Sequence, residues 1–311
     1  MVADSQRKNT SLLVKAHAAV LVAGCMWGSV GIFVRPLNQH GYSPLTIVFA
    51  RMSLAFIILL ACLYVSNKGL LRIKLKDTWI FIGSALTSAI ALNLFYSMSI
   101  IMNSLALAAV LLATAPVFVV FISVPVFKEK ITSVKLTALI LTFGGCVLVS
   151  GFIGSGAAFY LSGVFIGVLA GIGYALYSIF SRFALNKGYD SLTVNVYSFG
   201  IGALACIPFT NFSAIATSVQ AQPAYMGALL VAHAVFTSLL PYVLYTYSMK
   251  YMDTGKAAIL SSVEPVAAAV FGIVLYSEIP SVTGVGGMIL VILAIALLNL
   301  PRGFKTFLPG K

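Results

Sequence analysis

Ten stretches of about twenty mainly apolar residues follow one another along this 311-residue chain, and each is long enough to cross a bilayer. They run over 17–35, 45–65, 79–99, 104–126, 133–151, 161–181, 192–211, 225–248, 256–276 and 281–300. Hydrocarbon leaves no backbone polar group a water partner, so runs of this length fold as helices that satisfy their own hydrogen bonds. The breaks between them carry turn and charge signals: Gly41 to Pro44, Lys68 to Asp77, Lys128 to Lys130, Lys187 to Asp190 and Gln220 to Pro223. The fold class expected is an all-α polytopic membrane protein with ten transmembrane helices.

Composition agrees. Only 8% of the residues are charged, against the roughly 25% a soluble domain uses to cover its surface, and the mean hydropathy is +1.05. The outer face must be solvated by lipid. A net charge of +12 and a pI near 9.6 raise the question of nucleic-acid binding, but the cations lie in short connections and form no patch on a soluble module. Cys25, Cys62, Cys146 and Cys206 sit inside apolar runs without metal-ligand spacing, so no metal, cofactor or disulfide framework is expected.

Basic residues fix the orientation. With a cytoplasmic N-terminus, that side holds Arg7, Lys8, Lys15, Lys68, Arg72, Lys74, Lys76, Lys128, Lys130, Lys135, Arg182, Lys187, Lys250, Lys256, Arg302, Lys305 and Lys311. All but Arg35 and Arg51 of the 19 basic residues are then inside, a bias that one missed span would scramble. Both termini are expected in the cytoplasm of a bacterial inner-membrane protein. Val22 to Cys25 resembles a lipoprotein cleavage site, but cutting there would discard half of a helix that has a counterpart later in the chain.

That counterpart belongs to an internal repeat. A shift of 147 residues lays Ala23, Gly24, Ile32, Phe33, Arg35, Gly41, Tyr42, Leu45 and Thr46 on identical residues at 170, 171, 179, 180, 182, 188, 189, 192 and 193. A shift of 149 lays Tyr96, Ser99, Ala108, Ala109, Leu111, Pro116 and Glu129 on Tyr245, Ser248, Ala257, Ala258, Leu260, Pro265 and Glu278. Five spans per half is an odd number, so the second half enters the membrane from the opposite side. Inverted repeats suit transporters, because exchanging the conformations of the halves opens one central site to alternate faces. The expected division is a tail over 1–16, a first half over 17–151, an outer linker over 152–160, a second half over 161–300 and a tail over 301–311.

Several motifs resemble the EamA-type drug/metabolite transporter superfamily: Trp27-Gly28-Ser29, Phe49-Ala50-Arg51 with Leu54-Ala55, Ala115-Pro116-Val117-Phe118 ending at Lys128-Glu129, and Glu264-Pro265-Val266 ending at Ser277-Glu278. The similarity runs from about residue 17 to 300. The family usually has Gly before the Glu that closes the fourth and ninth spans, where this chain has Lys128 and Ser277. The resemblance implies a carrier of amino acids, sugars, nucleotide precursors, choline-like cations or drugs, with export of an amino acid or similar metabolite favoured.

Among the acidic residues only Glu264 lies inside a span, about 12 Å along the helix from Lys256. An ionised carboxylate at that depth must face the interior, be protonated or find a partner. Two readings stay open: a substrate or proton site, or a structural group satisfying a carbonyl freed by Pro265. Arg51, roughly 9 Å below the outer end of the second span, either snorkels outward and packs, or pairs with a charge in the bundle or on a substrate. Trp27, Asn93, Tyr96, Tyr174, Tyr177, Tyr242 and Tyr245 are candidates to line a substrate cavity. Trp27 and Tyr174 stand out as repeat mates in mid-span. His233 is a second candidate for ion or proton coupling, against the plainer reading of a neutral, hydrogen-bonded core histidine. Pro116 and Pro265 are candidate symmetric hinges, and glycines at 24, 28, 163, 167 and 171 form stripes that let helices approach closely.

Three function classes compete. A secondary transporter fits best, since no Walker motif accompanies the spans. An intramembrane enzyme would need paired carboxylates, H-E-x-x-H or G-x-S-x-G, and none is present. A lipid flippase or sensor is the remaining class. The expected partners are a small-molecule substrate and membrane lipids, with no nucleic acid, and the chain is expected to work as a monomer.

Overall fold

The computed structural model describes residues 2–102, 105–150, 160–277 and 281–299. Glu278, residues 152–159 of the expected linker and the tail over 301–311 lie outside the described residues.

Every regular element among the described residues is helical. Eight helices are long and apolar enough to cross a membrane: α1 Ser11–Gln39, α2 Pro44–Ser66, α3 Leu75–Met102, α4 Ala108–Phe127, α6 Leu161–Asn186, α7 Ser191–Phe209, α8 Pro223–Ser248 and α9 Thr254–Tyr276. Two apolar helices are shorter, α5 Ser133–Val149 and α10 Val282–Leu298. Seventeen residues of helix rise about 26 Å, just under the ~30 Å core. Among the described residues, eight of the expected stretches are helices of full spanning length, and those over 133–151 and 281–300 hold the two shorter helices. The helix leading into α1 begins at Val2, so the segment expected as a tail is helical and continuous with the first span. A short helix, Phe212–Ala221, connects α7 to α8.

The repeat leaves marks on the backbone. After α1, Gly41 takes φ +80°, and Tyr42 N–H donates to Leu37 O at 3.2 Å. After α6, Gly188 takes φ +86°, and Tyr189 N–H donates to Ala184 O at 3.1 Å. Both are left-handed caps in which glycine meets no Cβ penalty. Helices α4 and α9 also leave through the left-handed region, but on Lys128 (φ 56°) and Ser277 (φ 54°), the two positions where the resembling family has Gly. Each holds a non-glycine residue in a conformation that costs about 1–2 kcal/mol.

Irregular turns recur at matching places too. Helix α4 is interrupted between Leu112 and Ala115, and α9 between Ser261 and Glu264. A wide π-helical turn occupies Thr87–Leu92 in α3 and Val235–Leu239 in α8. One break has no counterpart: α1 is interrupted at Ser29, while α6 runs on without a gap.

Packing follows the same exchange. Helix α1 lies against α8 and α9, and α6 lies against α3 and α4; α2 meets α7, and α5 meets α10. Each of these contacts joins the first half to the second, so the halves interlock. Glycines make the crossings tight. A Cβ on Gly24 would sit 2.6 Å from Ser261 O, one on Gly171 would sit 2.7 Å from Thr114 Oγ, and one on Gly145 would sit 2.7 Å from Gly287 O. Gly24 and Gly171 are mates, and each presses on the interruption of a helix from the other half.

Candidate functional site

Trp27 stands next to Gly28, just before the break in α1. A Cβ on Gly28 would come within 2.7 Å of Glu264 O and of Ala267, so the two helix breaks sit against each other. The indole meets Tyr242 and Tyr245 of α8 at ring-centre distances of 5.3 and 5.4 Å, and the edge of its own repeat mate, Tyr174 of α6, at 6.1 Å. Tyr177 reaches Tyr242 at 5.2 Å, and Phe199 of α7 closes the cluster at 5.6 Å from Tyr242. Five of the expected substrate-lining residues therefore converge from three helices. Edge-on pairs of this kind add to simple burial, so the cluster is a rigid wall.

Within that wall the roles divide. Tyr177 and Tyr245 are buried and each hydroxyl has a protein partner: Tyr177 OH donates to Asn195 Oδ1 at 3.4 Å, and Tyr245 OH pairs with Ser178 Oγ at 2.9 Å. Asn195 is anchored in turn on Thr246 Oγ and Ser191 O, both at 2.7 Å. Asn93, Tyr96, Tyr174 and Glu264 are only half-buried within their spans. Tyr174 OH pairs with Ser261 Oγ at 3.1 Å, at the very break of α9.

Glu264 is the first residue of the segment Glu264–Tyr276, which begins after that break. The free N–H groups and the positive end of a helix dipole favour an anion there. Pro265 occupies one of the first helical positions, where an N–H would have no internal partner anyway. A proline so placed frees no carbonyl for Glu264 to satisfy, and the carboxylate makes no hydrogen bond or ion pair among the described residues. It lies within electrostatic reach of Arg51, Tyr96, Tyr174 and Tyr242.

Arg51 points inward with 7% of its surface exposed, so it does not snorkel. Its Nη2 donates to Asn93 Oδ1 at 3.1 Å, and Nη1 approaches Thr237 O at 3.5 Å. Asn93 Nδ2 donates onward to Ser88 O at 2.6 Å. Ser88 and Thr237 are separated by 149 residues and sit in the two π-helical turns. Wide turns leave carbonyls without their usual helical donor, and Arg51 takes up one from each half, one of them through Asn93. Its buried Nε has no partner. No ion pair joins Arg51 to Glu264.

His233 adjoins the Arg51 group through Thr237. Its ring stacks on Phe33 at 5.3 Å, Nδ1 pairs with Thr237 Oγ at 3.1 Å, and Nε2 is buried without a partner. Nothing brings it to the Glu264 carboxylate. Pro116 and Pro265 each open the second segment of a broken helix. No group of three His, Cys, Asp or Glu among the described residues could hold a metal ion.

A polar tie at the basic face went unread in the sequence. Glu129, just past α4, accepts from Lys135 Nζ at 3.0 Å, Ser123 Oγ at 3.1 Å and the backbone N–H groups of Thr254 and Gly255 at 2.7 and 3.2 Å. It thereby caps the first turn of α9 from the other half. Burial pushes its carboxyl up, but Lys135 and the two N–H groups outweigh that and hold it below the usual range. Nearby, Arg182 donates to Thr254 Oγ at 2.7 Å and to the carbonyls of Met249 and Met252. The only sequence signal for this tie was the repetition of Glu129 and Arg182 in both halves.

A model of the EamA-like transporter family matches residues 14–151 and again 161–300. The chain belongs to the EamA-like transporter family. It is a multi-pass membrane transporter, and the family's two matches fall on the two halves of the repeat. This EamA-like chain is 27% identical over 284 residues to an uncharacterized transporter of Archaeoglobus fulgidus, covering 88% of this chain and 93% of that one. It is 24% identical to YxxF, an uncharacterized transporter of Bacillus subtilis, over 97% of this chain and 93% of the relative. One solved crystal structure shares the fold at a TM-score of 0.73 and 16% identity, covering 91% of this chain and 96% of its own.

Proposed function

We propose that this EamA-like protein is a secondary transporter for a small amphipathic metabolite, an amino acid or related compound with export favoured. In this reading ten spans form two inverted five-helix halves that expose one site alternately to each face. One observation carries the reading. Arg51 and Glu264 stand inside the bilayer region, in each other's field but without an ion pair, beside a wall of Trp and Tyr rings. Charges at that depth are costly, and a zwitterion would satisfy both. Its ammonium would meet Glu264 and the aromatic faces of Trp27, Tyr96, Tyr174 and Tyr242, and its carboxylate the Arg51 edge near Asn93. Tyr177 and Tyr245 hold the wall from behind. Proton coupling falls to Glu264, with His233 a weaker candidate because it is packed against Phe33. The protein is placed in the plasma membrane as a monomer, both termini in the cytoplasm.

A second reading, uptake of a small organic cation, is favoured by the aromatic wall with a carboxylate at its edge; Arg51 counts against it. A flippase needs a polar groove open to lipid, whereas these polar groups turn inward.

Counterflow in proteoliposomes, with labelled amino acids and quaternary amines and repeated across a pH gradient, tests the reading. Exchange of an amino acid that Arg51→Gln and Glu264→Gln both abolish is the expected result. Exchange of quaternary amines alone would transfer the assignment to the cation reading. A wild type indifferent to pH would remove the coupling role of Glu264. Single cysteines in the 67–77 and 211–222 connections should react with an impermeant thiol reagent from opposite sides; reaction from one side would refute the inverted arrangement.

A further inference from the structure

The connection from Lys68 to Asp77, between α2 and α3, folds over the start of α7 in the other half. Lys74 N–H donates to Tyr189 OH at 3.1 Å, Thr193 Oγ donates to Leu70 O at 2.7 Å, and Tyr197 OH donates to Leu71 O at 2.7 Å. Between the two segments lies a cleft of about 250 Å³ whose walls include Gly69, Arg72, Lys74, Asp77, Lys187 and Tyr189. Its two carboxylates are already neutralised: Asp77 is held by Lys187 and Tyr189, and Asp190 by Lys250 at 2.6 Å. Arg72 and Lys74 are exposed and have no carboxylate partner among the described residues. The cleft therefore carries a surplus of two positive charges. Next in sequence to Lys74, Leu75 is 92% exposed, and Trp79, whose ring packs on Phe180 and Phe183, is 51% exposed; both stand at the start of α3.

The fold does not require these cations. At the equivalent place in the repeat, Tyr42, the mate of Tyr189, pairs with Ser218 Oγ at 2.9 Å, and Thr46, the mate of Thr193, accepts from Asn211 N–H at 2.9 Å. That version of the joint uses residues 207–222, which contain no charged side chain. The same scaffold is thus built once without charge and once around a basic cleft.

We propose that this cleft binds the phosphate of an anionic phospholipid. Arg72 and Lys74 take the phosphate oxygens, and Leu75 and Trp79 lie along the acyl chains. Because its walls come from both halves, the bound lipid clamps them together at the basic face. The site is independent of what the transporter carries.

Native mass spectrometry of the full chain in detergent, after exchange into micelles of phosphatidylglycerol or phosphatidylcholine, tests it. Phosphatidylglycerol should be retained at least tenfold better than phosphatidylcholine. Arg72→Gln with Lys74→Gln should lower that retention on the order of tenfold, since each cation near an anionic headgroup contributes several-fold. The charge-keeping exchange Arg72→Lys with Lys74→Arg should retain the lipid, which separates lost charge from a damaged joint. Lys128→Gln with Lys130→Gln removes as much charge from the same face and should change retention less than twofold. Equal loss in that control pair, equal retention of phosphatidylcholine, or displacement of the lipid by millimolar inorganic phosphate would each overturn the proposal.

Discussion

Helices α4 and α9 share their irregularities and differ in the side chain on which each restarts. Both are interrupted at equivalent residues, both carry a proline as the second residue after the restart, Pro116 or Pro265, and both end left-handed, at Lys128 or Ser277. Where α9 restarts on Glu264, α4 restarts on Ala115. Ala115 is fully buried under α6, whereas Glu264 is half-buried beside the aromatic wall. Duplication has kept the backbone device in both halves, and the carboxylate is one of the places where the halves are no longer equivalent. Two such carboxylates facing each other would repel.

The comparison breaks most severely if the missing charge is supplied. Ala115→Glu places an unpartnered carboxylate in a packed crossing and should destabilise the protein by about 3–5 kcal/mol, seen as a collapse of thermal stability in detergent. An unchanged melting point would mean that the crossing under α6 has room for the carboxylate. Next in size is the tie between the end of α4 and the start of α9. Glu129→Gln should cost about 2 kcal/mol at neutral pH, since hydrogen bonds to a charged acceptor are lost. Because the folded carboxyl lies below its ordinary range, its contribution is complete above the unfolded pKa and disappears as pH falls through the folded one. The melting-point gap between wild type and Glu129→Gln should therefore close on acidification; a constant gap would assign the effect to packing.

Glu264→Gln should leave folding intact and reduce counterflow at least tenfold, about 1.4 kcal/mol in binding terms. Retained transport with a lowered melting point would make Glu264 a structural residue. The smallest effects concern the shared exits. Lys128→Gly and Ser277→Gly each relieve a left-handed strain and should stabilise by about 0.5–1 kcal/mol after the entropy of the glycine is counted. A loss of stability at either position would mean that its side chain makes a contact outweighing the strain.

The spans and the repeat were legible because lipid forces long apolar runs and duplication copies residues in order. Even the left-handed exits were foreshadowed, since Lys128 and Ser277 stand where the resembling family has glycine. The site was legible only as a set of candidates. Which tyrosines face the centre depends on how each helix is rotated, and that is set by partners far along the chain, as when Arg51 finds Asn93 and Thr237. The break in α1 lies beside the close packing of Gly28 on α9 and has no proline to announce it. Helices α5 and α10 are the two shorter apolar helices among the described residues, and their backbones approach closely at Gly145 and Gly287, a pairing that periodicity alone does not announce.

The wide turns at Thr87–Leu92 and Val235–Leu239 work as phase shifts. One additional residue wound into a helix rotates everything beyond it by about 100° around the axis. Asn93 and Tyr96 follow one such turn and Tyr242 and Tyr245 the other, so each pair owes its bearing to that surplus residue. Deleting a single amino acid from either segment would leave a sound, straighter helix that presents a different face to the centre.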